Sequence, residues 1–197
     1  MRHALLAAAL ITAPAAVMAE GISYTYVDAR YFSTDSDALS TNQQGGTLSG
    51  SLALGDIFFV AADGSYGESE DITLAGVSGS FQTTAAALRL GVHHTLAPTL
   101  DIVASAGGLY GEVRGKDGFS GAKDDDTGYL VEAGLRLSLV PQVEVAALYN
   151  YADIFEETSS GFVGELQFHF TEHISAVASA NFARSTDIYS FGARYRF

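Results

Sequence analysis

Between Gly128 and Leu139 nearly every second residue is apolar. Tyr129, Val131, Ala133, Leu135, Leu137 and Leu139 fall on one side, and Glu132, Gly134, Arg136 and Ser138 on the other. Successive side chains of a strand point to opposite faces, so a period of two describes a strand with one apolar and one polar face. The pattern recurs in ten segments after residue 20, and no stretch has helical periodicity of comparable quality. They run over about Ile22 to Phe32, Thr47 to Leu54, Ile57 to Gly67, Gln82 to His93, Leu100 to Gly111, Gly128 to Leu139, Val143 to Tyr151, Gly161 to Phe170, Ile174 to Phe182 and Ile188 to Phe197.

The polar side carries almost all the charge of these segments. Asp28, Asp63, Asp101, Glu132, Glu144 and Glu165 face Arg30, Arg89, Arg136, Arg194 and Arg196, with no lysine among them. A water-facing sheet surface would be rich in charge and in lysine. A sparse, nearly balanced set of arginines and carboxylates suits a packed interior, where the guanidinium can bond carboxylates two at a time. Aromatic residues gather at both ends of the apolar side. Tyr31, Tyr66, Tyr110, Tyr129, Tyr151, Phe162, Phe182 and Tyr189 fall at one end, and Phe58, Phe168, Phe170, Tyr195 and Phe197 at the other. Such girdles mark the two interfaces of a membrane. Links are expected to alternate, with short turns at one end and the polar stretches 33–44, 68–79, 112–127, 152–160 and 183–187 at the other.

Met1–Ala19 reads as a secretory signal peptide: Arg2 and His3, the apolar Ala4–Ile11, then Val17-Met18-Ala19 as a small-residue cleavage pattern. That leaves 20–197 as one barrel-sized domain. The whole chain has 10 Lys and Arg against 23 Asp and Glu, an acidic balance that argues against a nucleic-acid surface. It has no cysteine, hence no disulfide or thiol chemistry.

The final strand brings these features together. Tyr189, Phe191, Ala193, Tyr195 and Phe197 alternate with Ser190, Gly192, Arg194 and Arg196, and Phe197 is the last residue. With the alternation and the girdles, this ending resembles bacterial outer-membrane β-barrels. The resemblance covers the chain from Glu20 onward and implies an all-β fold, a transmembrane antiparallel up-and-down β-barrel of about ten strands, with eight as the alternative count. It also implies that the C-terminal strand is the signal read by the barrel-assembly machinery, and that the Gram-negative outer membrane, with its lipid and lipopolysaccharide, is the surroundings. A fainter likeness, to a proteobacterial barrel family once linked to cell-to-cell signalling, lies in Ser23-Tyr24-Thr25-Tyr26-Val27 and Asp63-Gly64-Ser65-Tyr66. No signalling role is carried over from it. Tyr24 and Tyr26 fall on the inward parity of the first strand, so a bulge or register shift is expected there.

Little in the sequence points to catalysis. His93, His94, His169 and His173 all fall at the short-turn end, away from the outer rim where barrel proteases and deacylases work. They read as solvated rim histidines and not as a metal site. Asp117, Asp124–Asp126, Glu68, Glu70, Asp71, Glu156 and Glu157 read as solvated acidic loops without calcium-ligand spacing. The expected protein is a non-enzymatic, cofactor-free, monomeric barrel with outward acidic loops and a structural, adhesive or interaction role. A narrow pore is the alternative. Its lumen network would comprise the eleven inward charges named above, and stacking of Arg89, Glu132, Arg136 and Glu165 at one level would seal it.

Overall fold

The structure, a computed structural model, describes residues 21–36, 41–74, 77–183 and 186–197. Met1–Ala19, read as a signal peptide, lies outside the described residues. The described residues form twelve strands: β1 (Tyr26–Ser36), β2 (Thr41–Leu54), β3 (Phe58–Ser69), β4 (Ile72–Leu74), β5 (Val77–Gly79), β6 (Phe81–Ala97), β7 (Leu100–Gly115), β8 (Lys123–Val140), β9 (Val143–Ile154), β10 (Glu157–His169), β11 (Ile174–Ala183) and β12 (Thr186–Arg196). Ten of them close into an antiparallel barrel in the order β1-β12-β11-β10-β9-β8-β7-β6-β3-β2, and β4 and β5 pair apart from it. Ten strands form the barrel, not eight. Closure gives the wall no edge strand, which a lipid environment requires of backbone N–H and C=O groups.

The alternation read from the sequence is the inside–outside alternation of this wall. Leu48, Leu52, Leu88, Leu90, Leu135, Leu166 and Phe191 project outward and are exposed, whereas Asp28, Asp101, Arg136, Glu144 and Arg194 on the other parity are buried. A water-soluble protein would not leave so broad an apolar surface bare. The girdle aromatics meet one another on this outer surface. Tyr129 packs on Tyr151, Tyr149 on Phe162, and Phe182 on Tyr189 at one end, while Phe168 packs on Phe170 and Tyr195 on Phe197 at the other.

Two expectations need correction. No bulge interrupts β1: its pairing with β12 and β2 runs in unbroken register from Tyr26 to Ser36. Tyr24 and Tyr26 point inward because they belong to the lumen. The polar links are also shorter than the fall in hydropathy implied. Asp124, Asp125 and Asp126 lie on β8, paired with Val113, Glu112 and Gly111 of β7, and Glu68 lies on β3. Strand pairing needs only backbone groups, so it continues after the outward residues cease to be apolar. β8 has 18 residues, where a tilted strand needs about 9–11 to span the hydrocarbon core. β6, β7 and β8 therefore carry a charged rim well beyond the apolar band. Of the acids expected on loops, Glu70 and Asp71 lie in the link between β3 and β4, and Asp117 opens a 3-10 turn over Asp117–Phe119. Glu156 sits in a two-residue turn before β10, and Glu157 begins that strand.

Candidate functional site

Inside the wall the inward charges sort into three groups along the strands. In the first, Arg89 of β6 bonds Asp63 of β3 at 2.5 Å and reaches Glu132 of β8 at 3.5 Å. In the second, Arg194 of β12 bonds Asp28 of β1 at 2.7 Å and approaches Glu165 of β10 at 3.3 Å, while Arg30 of β1 bonds the same two acids at 2.7 and 2.8 Å. Gln167 accepts a further bond from Arg194 at 3.0 Å. In the third, Arg136 of β8 donates through Nε and Nη2 to Glu144 of β9, at 2.8 and 2.5 Å. Burial makes each ion dependent on its partner, because it has given up water. Arg196 is buried too, and its Nε has no hydrogen-bond partner.

The four residues expected to seal the lumen by stacking are thus shared among three groups. The first and third groups hold to their own stretch of wall, whereas Arg30 of β1 reaches Glu165 of β10, three strands away in the ring of ten, and so spans much of the lumen. At the short-turn end it is Tyr24, just ahead of β1, that crosses. In a ring of ten, β8 is diametrically opposite β1. Tyr24 donates its hydroxyl to Asp101 of β7 at 3.1 Å and lies under the Arg136 guanidinium of β8, 4.6 Å from the ring centre. Its ring stacks on His93 at 3.9 Å between centres and on Phe59 at 5.1 Å. Arg136 also donates to the carbonyl of Ser23 at 3.3 Å. Phe59 has room to lie flat because Gly91 is beside it: a Cβ there would overlap its ring. Tyr24, Phe59, Ala61 and Val103 form the apolar floor, with Ile22 packed against them.

Above this floor lies a cavity of about 400 Å³. Its walls carry Thr47, Ser49, Ser65, Asn150, Ser179 and Ser190 between the first two ionic groups. The charged lining is balanced, with Asp28, Asp63, Glu132 and Glu165 against Arg30, Arg89, Arg136 and Arg194.

The histidines behave differently from solvated rim residues. His93 is stacked on Tyr24, with Nδ1 3.7 Å from Asp101. His169 is buried, with Nδ1 2.7 Å from the Ser175 hydroxyl and Nε2 4.0 Å from Glu144. The register of the β10–β11 hairpin, His169 opposite Ser175, brings the first two together. Sequence reasoning missed this Ser–His–Glu line, which is the order used to activate a serine nucleophile. Here Ser175 is fully enclosed and its hydroxyl also accepts a bond from Gln167 at 3.1 Å, so no acyl group can reach it in this arrangement. His94 is exposed on β6. His173 holds the turn before β11 through Arg196, its Nδ1 2.9 Å from that carbonyl.

On the protruding rim the acids are engaged. Glu112 bonds Arg114 at 2.5 Å and Lys123 at 3.1 Å, Lys123 also meets Asp125, and Lys116 meets Glu68 at 3.1 Å. Hydrogen bonds donated by Arg114 and Lys123 hold the Glu112 carboxyl below the usual range, and those that Lys123 donates to Glu112 and Asp125 raise its ammonium. Asp126 accepts the Phe155 backbone N–H at 2.7 Å, fastening the β9–β10 turn, where Phe155 and Glu156 both take positive φ. Among the described residues no group of three or more His, Asp or Glu could hold a metal ion.

An apolar outer band, aromatic girdles and a charged lumen in a ten-stranded closed sheet meet the requirements of a membrane barrel. The model of the outer membrane protein beta-barrel domain family matches residues 4–197. The chain belongs to that family. Its fold is shared with the translocator domain of the autotransporter NalP from Neisseria meningitidis, at 15% identity over 91% of each chain and a TM-score of 0.54. The NanC porin is 12% identical over 87% of this chain and all of its own, with a TM-score of 0.52. Neisserial surface protein A is 17% identical over 90% of this chain and all of its own, with a TM-score of 0.51. No curated protein sequence matches the chain. Membership in the family points to the outer membrane, with the short turns facing the periplasm.

Proposed function

We propose that this outer-membrane barrel is non-enzymatic and closed to solute flow, and that it acts through its protruding charged rim in adhesion or another surface interaction. One observation carries the closed reading: Tyr24 reaches from β1 to β7 and β8 across the periplasmic end of the lumen. The rim suits an interaction surface because it is ordered by strand pairing and by Glu112, Lys123 and Asp126 rather than left as free acidic loops. The enclosure of Ser175 speaks against hydrolysis. The chain is a monomer bounded by lipid and lipopolysaccharide, exported after cleavage of Met1–Ala19, and Tyr189, Phe191, Ala193, Tyr195 and Phe197 present it to the assembly machinery.

Planar-bilayer recording of the refolded protein tests this. A protein with heat-modifiable gel mobility that gives no current steps supports the closed barrel, and steady reproducible steps overturn it. A narrow pore is the second reading, favoured by the cavity of about 400 Å³ above the floor. The porin KdgM, solved in complex with disordered oligogalacturonate, shares the fold at 10% identity and a TM-score of 0.51.

A further inference from the structure

The periplasmic floor is made by a segment outside the barrel ladder. β1 is paired along its whole length on both sides, from Tyr26 opposite Arg196 and Ser51 to Ser36 opposite Thr186 and Thr41. Ahead of Tyr26 the chain is held to the wall at isolated points. Thr25 accepts the Phe197 N–H at 3.3 Å and, through its hydroxyl, the Ala53 N–H at 3.1 Å. Ser23 accepts one bond from Arg136, and Tyr24 donates one to Asp101. At the periplasmic end the contacts to the opposite wall are thus those of Ser23 and Tyr24, on a stretch whose removal breaks no β1 pair.

We infer that Ile22–Thr25 is a displaceable latch, and that its withdrawal turns the closed barrel into a narrow pore for small hydrated ions. The inference rests on the closed reading above. With Tyr24 withdrawn, the ionic groups keep their own partners: Arg136 on Glu144, Arg194 on Asp28 and Arg89 on Asp63 each bond a neighbouring strand, and Arg30 on Glu165 narrows the lumen without depending on the latch. The cavity would then run on past Phe59 and Val103 to the periplasmic mouth. Eight strands leave room only for side chains, whereas ten enclose a wider lumen. The balanced charge of the lining offers a passing ion no single deep trap.

The test records bilayer currents from the full mature chain carrying Tyr24→Ala, beside Val177→Ala. Val177 is fully buried on β11, so its truncation loosens the interior at a strand remote from β7 and β8. The expected result is current steps from Tyr24→Ala and silence from wild type and Val177→Ala. Silence from folded Tyr24→Ala overturns the latch but leaves the closed barrel standing. Equal steps from Val177→Ala also overturn it, because general loosening then explains the current. Steps from wild type overturn the closed reading instead. Should Tyr24→Ala not fold, access decides. The chain has no cysteine, so Ser65→Cys places a unique thiol in the cavity. A latch shut nine-tenths of the time slows labelling by a membrane-impermeant maleimide from the periplasmic side of a liposome by about tenfold relative to a permanently open mouth. A latch therefore gives labelling that is slow from that side and fast from the other, and equal rates overturn it.

Discussion

The two halves of the lumen are filled by different kinds of residue. Toward the short turns stand Asp101, Arg136, Glu144, Gln167, His169 and Arg194, each at most 7% exposed. Toward the outer rim stand Thr47, Ser49, Ser65, Asn150, Ser179 and Ser190, all partly exposed around the cavity. The lower half gains rigidity from ions that cannot do without their partners. The upper half gains space from small side chains set between the Arg89 and Arg30 ion pairs. A barrel of fixed strand number can thus be tightly packed at one end and hollow at the other by choosing only what points inward.

Arg194→Ala should show this contrast at its largest. Removing the guanidinium takes a partner from Asp28, Glu165 and Gln167 together, and Asp28 is almost fully buried. Breaking a buried pair from one side costs about 3–5 kcal/mol, because the remaining charge stays desolvated. Urea unfolding of the refolded barrel in lipid, followed by gel mobility, should show that loss. A cost near zero would mean that the lower half is wetter than its packing implies.

Gly91→Ala should follow. The added methyl overlaps the Phe59 ring, which supports Tyr24, so the floor must shift as a unit. Overpacking of this kind costs about 1–3 kcal/mol. Near-ultraviolet circular dichroism should report the disturbed tyrosine, and an unchanged spectrum would separate Phe59 from the floor.

The strands and their two faces were legible in the sequence because the period of two records which side meets lipid. The inward charges were legible for the same reason. Their partners were not, since pairing depends on shear around the ring: Glu165 of β10 meets Arg30 of β1, three strands away. Tyr24 and Tyr26 were read as a register fault because aromatic residues were expected at the lipid interface. In fact Tyr24 serves as floor, and Tyr26 lies under the Arg194 guanidinium at 3.8 Å. The rim strands were hidden because hydropathy reports the bilayer and falls silent above it, while backbone pairing continues. The nearness of His169 and Ser175 was within reach, since a short turn over Thr171–His173 sets them opposite one another.

Ser65→Ala should have the smallest effect and give the comparison its lower bound. Ser65 faces the cavity from β3 and is partly exposed, so losing its hydroxyl strands no charge and opens no void in packed material. Substitutions at such places stay within about 0.5 kcal/mol. The same urea measurement should place this variant on the wild-type curve while Arg194→Ala moves far from it. Should Ser65→Ala cost as much as Gly91→Ala, the outer half would be a packed layer in its own right, and the barrel would be sealed along its whole length rather than at Tyr24.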